Sequence, residues 1–156
     1  MVITLAKLVN ITDKNVIFRK AIASGEIYLN KETLDRIKNN TIEKGDVLTI
    51  SKIAAIMSVK NTPQIIPLCH TIQITSTDIY YEFKEKSLEV TCVVSAYSRT
   101  GVEMEALAGV STALLTVWDM TKKYEKDKNG QYPYTKIQNI RVIEKLKGEK
   151  NEGKRP

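Results

Sequence analysis

This chain is short of the residues on which several protein classes depend. Its 156 residues include only two cysteines and one histidine. The cysteines lack zinc-like spacing, and a single imidazole cannot complete a zinc set. A disulfide scaffold is equally unsupported, so reduced thiols in the cytoplasm are the expectation. No apolar run approaches the roughly 18 to 20 residues of a membrane span. The opening Met1-Val2-Ile3-Thr4-Leu5-Ala6 has no basic region followed by a long apolar stretch, which argues against a signal peptide. There is no GxxxxGK loop followed by Ser or Thr, and no GxGxxG fingerprint, which argues against ordinary nucleotide triphosphatases and dinucleotide enzymes. Internal repeats, low-complexity tracts and linkers are also missing. One domain over residues 1–156, long enough to enclose a hydrophobic core, is expected.

What the chain does have is positive charge. Its net charge is +6, with 42% hydrophobic and 27% charged residues, and its pI is about 9.2. A basic protein of this size meets phosphate somewhere, on nucleic acid or on a small anion. Part of the excess lies in the tail from Lys145 to Pro156, whose end is polar, unpatterned and expected to be mobile from about residue 147. The surplus that remains suits a phosphate pocket better than a long nucleic-acid groove.

β-branched and aromatic residues over 15–29 predict a strand. Asn30 is the candidate N-cap of a short helix over 31–38, with Leu29 and Leu34 as a hydrophobic staple. Asp46 is the next N-cap, opening a helix over 47–60 whose buried face is expected to hold Val47, Ile50, Ala54 and Met57, widened by Ile53 and Ile56. Asn61-Thr62-Pro63 stops it. Extended runs over 71–83 and 88–97 are joined by a link short enough for a hairpin. The longest helix is expected over 102–124, with Met104, Leu107, Ser111, Leu114 or Leu115, and Trp118 as its apolar stripe. A second stripe, Glu105, Gly109, Thr112, Thr116, Asp119 and Lys123, is small and polar between charged ends, so something else approaches it closely. After a turn at 127–131, residues 134–143 alternate as a last strand. This order predicts an α+β, ferredoxin-like (split βαβ) antiparallel sheet with helices on one face.

Three blocks concentrate the chemistry. Ile66-Pro67-Leu68-Cys69-His70 contains the only imidazole, which is either the neutral-pH proton carrier or a packed loop histidine. Cys69 reads as a small buried hydrophobe rather than a nucleophile. Gly101-Val102-Glu103-Met104-Glu105-Ala106-Leu107 sets two carboxylates in the first turn of the long helix, where the macrodipole alone could account for them. Trp118-Asp119-Met120-Thr121-Lys122 puts Asp119 and Lys122 three apart on one helix face, an ordinary ion pair or a catalytic couple. Because Asp119 lies on the small-residue stripe, it is expected to be partly desolvated with a movable pKa. Lys44-Gly45-Asp46, ahead of a helix, could hold a phosphate, and Ser98-Arg99-Thr100-Gly101 is placed similarly.

Together these blocks resemble the cyclic pyranopterin monophosphate synthase family, also called molybdenum cofactor biosynthesis protein C or MoaC. The resemblance runs from Leu8-Val9-Asn10-Ile11 to about Lys145 and rests on the combination of IPLCH, TGVEMEAL about thirty residues later, and D-M-x-K. It implies a ferredoxin-like subunit, a hexamer built from dimers, and an active site at the dimer interface. It implies conversion of (8S)-3′,8-cyclo-7,8-dihydroguanosine 5′-triphosphate to cyclic pyranopterin monophosphate plus diphosphate. Asp119 and Lys122 align with the family's acid/base pair and Lys44 with a further essential lysine. His70, Glu103, Glu105, Arg19 and Lys145 align with the substrate pocket, with Leu68, Cys69 and Met104 as contributing neighbours. There are two departures. Asn10 stands where the family often has Asp, and Lys147-Gly148-Glu149-Lys150 replaces a Gly-Gly-Lys-Ser-Gly-like end.

The residue types suit that chemistry. Proton transfers call for a lysine whose pKa is lowered by burial among cations and poised by a carboxylate, here Lys122 with Asp119. Lys44, Arg19, Lys145 and His70 would neutralise the triphosphate, and Glu103 and Glu105 would accept from the base. These residues require no metal or redox cofactor, and Mg²⁺ carried in by the triphosphate is compatible with them. A basic ferredoxin-like module binding RNA is the competing reading, although residues 88–97 lack the aromatic pattern that stacks bases, and neither nucleic acid nor membrane is the expected partner. Full exposure of Asp119 and Lys122 would instead favour a non-catalytic interaction subunit.

Overall fold

A computed structural model of the chain describes residues 1, 3 and 5–148. The elements follow the order β1 (Ile17–Tyr28), α1 (Lys31–Lys38), α2 (Val47–Lys60), α3 (Thr62–Ile65), β2 (Ser76–Phe83), β3 (Ser87–Ser98), α4 (Glu103–Glu125) and β4 (Lys136–Lys147). The sheet order is β2-β3-β1-β4, and every neighbouring pair is antiparallel. β3 therefore lies between β1 and β2, which is the split βαβ arrangement of a ferredoxin-like fold.

Strand alternation puts Ala21, Ala23 and Ile27 of β1, and Leu88, Val90, Cys92, Val94 and Ala96 of β3, on the face that meets the helices, all fully buried. α4 crosses β1, β3 and β4, while α2 packs against α4 and the β2 edge. The contact is tight. A Cβ on Gly25 would come within 2.9 Å of Ile140 and Leu114 and 3.0 Å of Val110. This closeness decides which side of α4 is buried. Ala106, Val110, Ala113, Leu114 and Val117 lie against the sheet, while Met104 and Leu115 of the expected stripe are exposed and Leu107 and Trp118 are half-buried. Small side chains allow the close approach, so the larger ones are turned to the rim.

α2 departs further from expectation. It buries Val47, Ser51, Ala55, Ser58 and Val59, leaving Ile50, Ile53 and Met57 exposed. Hydrogen bonds hold the serine side: Ser58 Oγ donates to Ala108 O at 3.2 Å, Thr112 Oγ1 donates to Ser58 Oγ at 2.8 Å, and Ser51 Oγ lies 2.6 Å from Tyr81 Oη. The small-residue stripe of α4 is therefore where α2 approaches, across Gly109, whose added Cβ would sit 2.8 Å from Cys92 Sγ and 2.9 Å from Val59 Cγ2.

The caps divide in the same way. Asp46 caps α2 as expected, accepting from Thr49 N at 3.0 Å. Asn30 provides no side-chain cap. Its own N–H donates to the buried Glu125 carboxylate at 3.0 Å, and that carboxylate also accepts from Thr33 and Thr135. Glu125 thus does from the far end of α4 what a third-position Glu does in a capping box. Pro63 sits in the first turn of the short α3, where its missing N–H costs nothing. Residues 71–75 precede β2 rather than belonging to it. β4 extends beyond the expected 143 through Lys147, so the tail's first residues are paired strand. The rest of the tail expected to be mobile, 149–156, lies outside the described residues.

Candidate active site

Lys44, Asp119 and Lys122 converge at the C-terminal end of α4. The Asp119 carboxylate bridges both lysines, with Lys122 Nζ 2.8 Å from Oδ1 and Lys44 Nζ 2.8 Å from Oδ2; Lys44 also donates to Asp119 O at 3.1 Å. Local structure puts Lys44 there. Gly45, at φ +110, turns the chain after Lys44 in a conformation that a side chain would strain. Glu43 N donates to Tyr124 Oη at 2.9 Å and the Glu43 carboxylate pairs with Lys123, which ties the loop to α4. The lysine pair draws the Asp119 carboxyl down to about 2, Lys122 contributing most and Lys44 next.

Lys122 behaves differently from the lysine expected of the sequence. It is not buried, and its pKa is raised because its nearest charge is the Asp119 carboxylate. The Asp119 and Lys122 side chains are 57% and 43% exposed, so Asp119 is not desolvated as the small-residue stripe led one to expect, and its pKa is moved by the two lysines instead of by burial. Beside them Leu115, Trp118 and Ile137 line a depression of about 420 Å³, with Tyr132 edge-on to Trp118 at 5.4 Å between ring centroids.

A second cluster occupies the N-terminal end of α4. Arg19 is almost buried and donates from Nη2 to Arg99 O at 3.1 Å and from Nε to Ser98 O at 3.4 Å, which fixes it to the turn that leads into α4. Glu103 pairs with Lys145 of β4. Burial pushes the Glu103 carboxyl up, but the Lys145 pair, with Arg19 nearby, outweighs it and the carboxyl titrates below its ordinary range. Gly101 lies directly beneath that carboxylate, where a Cβ would overlap it. Glu105 is 1% exposed, and its Oε2 has no hydrogen-bond partner among the described residues. Burial, with Glu103 close by, raises its carboxyl. Cys69 Sγ donates to Glu105 Oε1 at 3.7 Å, and burial followed by that carboxylate raises the thiol, so Cys69 is a neutral donor here, not a thiolate. His70 Nε2 donates to Val9 O at 2.7 Å. Leu68 and Met104 are exposed beside these groups.

Helix geometry separates the two clusters: Glu105 and Asp119 lie about 21 Å apart along α4 at roughly 1.5 Å per residue. One chain brings Lys44 to Asp119 and Lys122, and Lys145 and Arg19 to Glu103, but it does not unite these groups. Lys14 and Lys147 are not among the expected site residues. They line, with Arg19 and Lys145, a cavity of about 520 Å³ at the N-terminal end. The two-residue spacing of Lys145 and Lys147 on a strand was the available signal.

The MoaC family model matches residues 8–148. The chain belongs to the MoaC family. Similar proteins each called a probable cyclic pyranopterin monophosphate synthase include those of Thermococcus kodakarensis (56% identical, covering 92% of each chain), Sulfurisphaera tokodaii (53%, 92% of this chain and 95% of the relative) and Methanosarcina mazei (52%, 92% and 91%). Both clusters fall inside the part of the chain that the MoaC model covers. Among the described residues no helix is long and apolar enough to cross a membrane, and no three His, Cys, Asp or Glu side chains form a metal-holding group.

Proposed function

We propose that this MoaC family chain is a cyclic pyranopterin monophosphate synthase, a lyase of molybdenum cofactor biosynthesis. It converts (8S)-3′,8-cyclo-7,8-dihydroguanosine 5′-triphosphate to cyclic pyranopterin monophosphate and diphosphate. The observation that carries the reading is the Lys44–Asp119–Lys122 trio, an anion clasped by two cations at the rim of an open depression, in a chain of this family.

In the ring rearrangement protons leave some atoms and arrive at others. In the phosphate step a sugar hydroxyl attacks the α-phosphorus and gives its proton to water, the α–β P–O bond breaks, and diphosphate departs with that electron pair. Lys122, cationic beside Asp119, is the proton donor, and the Asp119 carboxylate holds and aims it. Lys44, Arg19, Lys145 and His70 supply the counter-charge for the triphosphate. Glu103 and Glu105 meet the donors of the base, and Leu68, Cys69 and Met104 enclose it. None of these roles calls for a resident metal or redox group; Mg²⁺ enters with the triphosphate.

The protein works as a homo-oligomer in the cytoplasm, a hexamer built as a trimer of dimers, with each site formed where the C-terminal end of one α4 meets the N-terminal end of a second copy's. Support comes from the separation of the two clusters and from Ile50, Ile53, Met57 and Leu115, exposed on the helical layer. Bringing another copy's cations to Lys122 would oppose the upward shift it has in a single chain and let it return a proton.

The test is product formation from the enzymatically prepared cyclised triphosphate, with the pterin followed by fluorescence after oxidation and diphosphate by a coupled assay. Both products should appear in equal amounts with the native chain, and Asp119→Ala should make neither. Unaltered turnover in Asp119→Ala would remove the assignment.

A further inference from the structure

The strand pairing of β1 with β4 sets Lys147 directly opposite Arg19, and Lys145 opposite Ala21, with no register shift between the two pairs. Directly opposed residues share a face of the sheet, so Arg19, Lys145 and Lys147 project to the same side, toward the start of α4. The cavity they line is completed by residues that include Asp13, Lys14, Thr100 and Gly101. Lys147 is held by the ladder on one side and by Gly148 on the other. Gly148 has φ +129 and donates its N–H to Phe18 O at 3.2 Å, so the strand is anchored just past Lys147.

The charges in this cavity are unequally committed. Arg19 spends its donors on two carbonyls, and Lys145 is paired with Glu103. Four cations gathered around two carboxylates, Asp13 and Glu103, leave a local excess that favours a polyanion with several phosphates. Lys147 is exposed at the end of β4.

We propose that Lys147 is an additional phosphate-binding residue, gripping the polyphosphate end of the substrate from β4 while the trio at the far end of α4 handles protons. The inference rests on the substrate class proposed above and adds a determinant on β4. Lys147 contributes to binding, and the proton transfers stay with the Lys44–Asp119–Lys122 trio.

The experiment uses the full-length native protein with Lys147→Ala, Lys147→Glu and Lys147→Arg. Inorganic triphosphate is titrated calorimetrically at low and high salt, alongside steady-state turnover. Lys147→Ala should weaken triphosphate binding and raise KM by about five-fold, the scale of one partly exposed charge contact. Its kcat should stay within about two-fold, because this contact is made equally before and during reaction. Lys147→Glu should weaken binding further, Lys147→Arg should restore it, and the salt dependence should become shallower without the lysine. Thermal melts should coincide, since the side chain is exposed on an edge strand. Native-like triphosphate affinity in Lys147→Ala at low salt, or no triphosphate binding by the native chain, overturns the proposal. If the native chain binds triphosphate through Lys147 but makes no pterin product, the proposed reaction fails while the phosphate site stands.

Discussion

The two ends of α4 treat their carboxylates in opposite ways. At the C-terminal end Asp119 stands open to solvent, yet two lysines 2.8 Å away draw its carboxyl to about 2. At the N-terminal end Glu105 is sealed from solvent, and burial raises its carboxyl. Ion pairing decides the first case and desolvation the second, so one helix carries two carboxyls shifted in opposite directions. Glu103 lies between these extremes, since burial acts upward on it and Lys145 wins. The contrast shows that the chemistry of a carboxylate here is set by what faces it, not by its place in the sequence.

The largest effect tests whether the two ends form one site. Asp119→Ala alone should lose about 10²- to 10⁴-fold in kcat, the usual range for an acid/base group, and Glu103→Gln alone, which removes the charge partner of Lys145 and a contact to the base, should lose most of its turnover as well. When the two inactive variants are dissociated, mixed and reassembled, about a quarter of native activity should return, because half of the random pairs are mixed and each holds one intact site. No recovery would confine the site to a single chain and break the link between the two ends.

Gly101→Ala should damage only the N-terminal end. Its Cβ would displace the Glu103 carboxylate from Lys145, and turnover should fall at least ten-fold, about 1.4 kcal/mol of transition-state stabilisation. The Asp119 carboxyl, followed by carbon NMR, should titrate as in the native protein. A shift there would mean that the two ends are coupled through α4.

Glu105→Gln sharpens the contrast through stability. A carboxyl raised by folding contributes stability that is fully present below its unfolded pKa and is lost as pH rises through the folded value. Neutral glutamine escapes that loss. The variant should therefore be more stable than the native chain near neutral pH, and the gain should vanish as pH falls below the ordinary glutamate range. Equal gains at both pH values in denaturant titrations would contradict desolvation as the cause.

The smallest effect lies at the exposed end. Lys44→Ala removes one of two cations, so the Asp119 carboxyl should rise from about 2 while staying below its ordinary range, because Lys122 remains. For a depressed carboxyl, the stabilisation is present above the unfolded pKa and disappears as pH falls through the folded one. On a pair this exposed it should amount to less than about 1 kcal/mol. NMR titration of the carboxyl carbon gives the shift directly.

Much of the fold was legible in the chain. Period-two runs marked β1 and β3, Asp46 marked the start of α2, and the long periodic segment marked α4 to within a residue or two. The buried faces of the helices were not legible. Ile50, Ile53 and Met57 outrank Ser51, Ala55 and Ser58 on any hydrophobic scale, yet the serines are buried, because α2 must approach Gly109 and bond to Ala108 and Thr112. Periodicity finds a stripe but does not say which neighbour demands small residues. Asn30 shows the same limit, since its cap comes from Glu125, 95 residues away.

By itself the sequence determined the family, the residue types of the chemistry, and the order of strands and helices, since these depend on local pattern and on motifs read one after another. Tertiary structure alone decided that Lys44 reaches Asp119 across 75 residues, that Lys122 is held cationic, and that Lys147 lies beside Arg19. It also decided that the two charged clusters stand at opposite ends of one helix. The reason is physical: charge, burial and protonation depend on distances through space between residues far apart in the chain, and those distances exist only once the sheet and helices have packed.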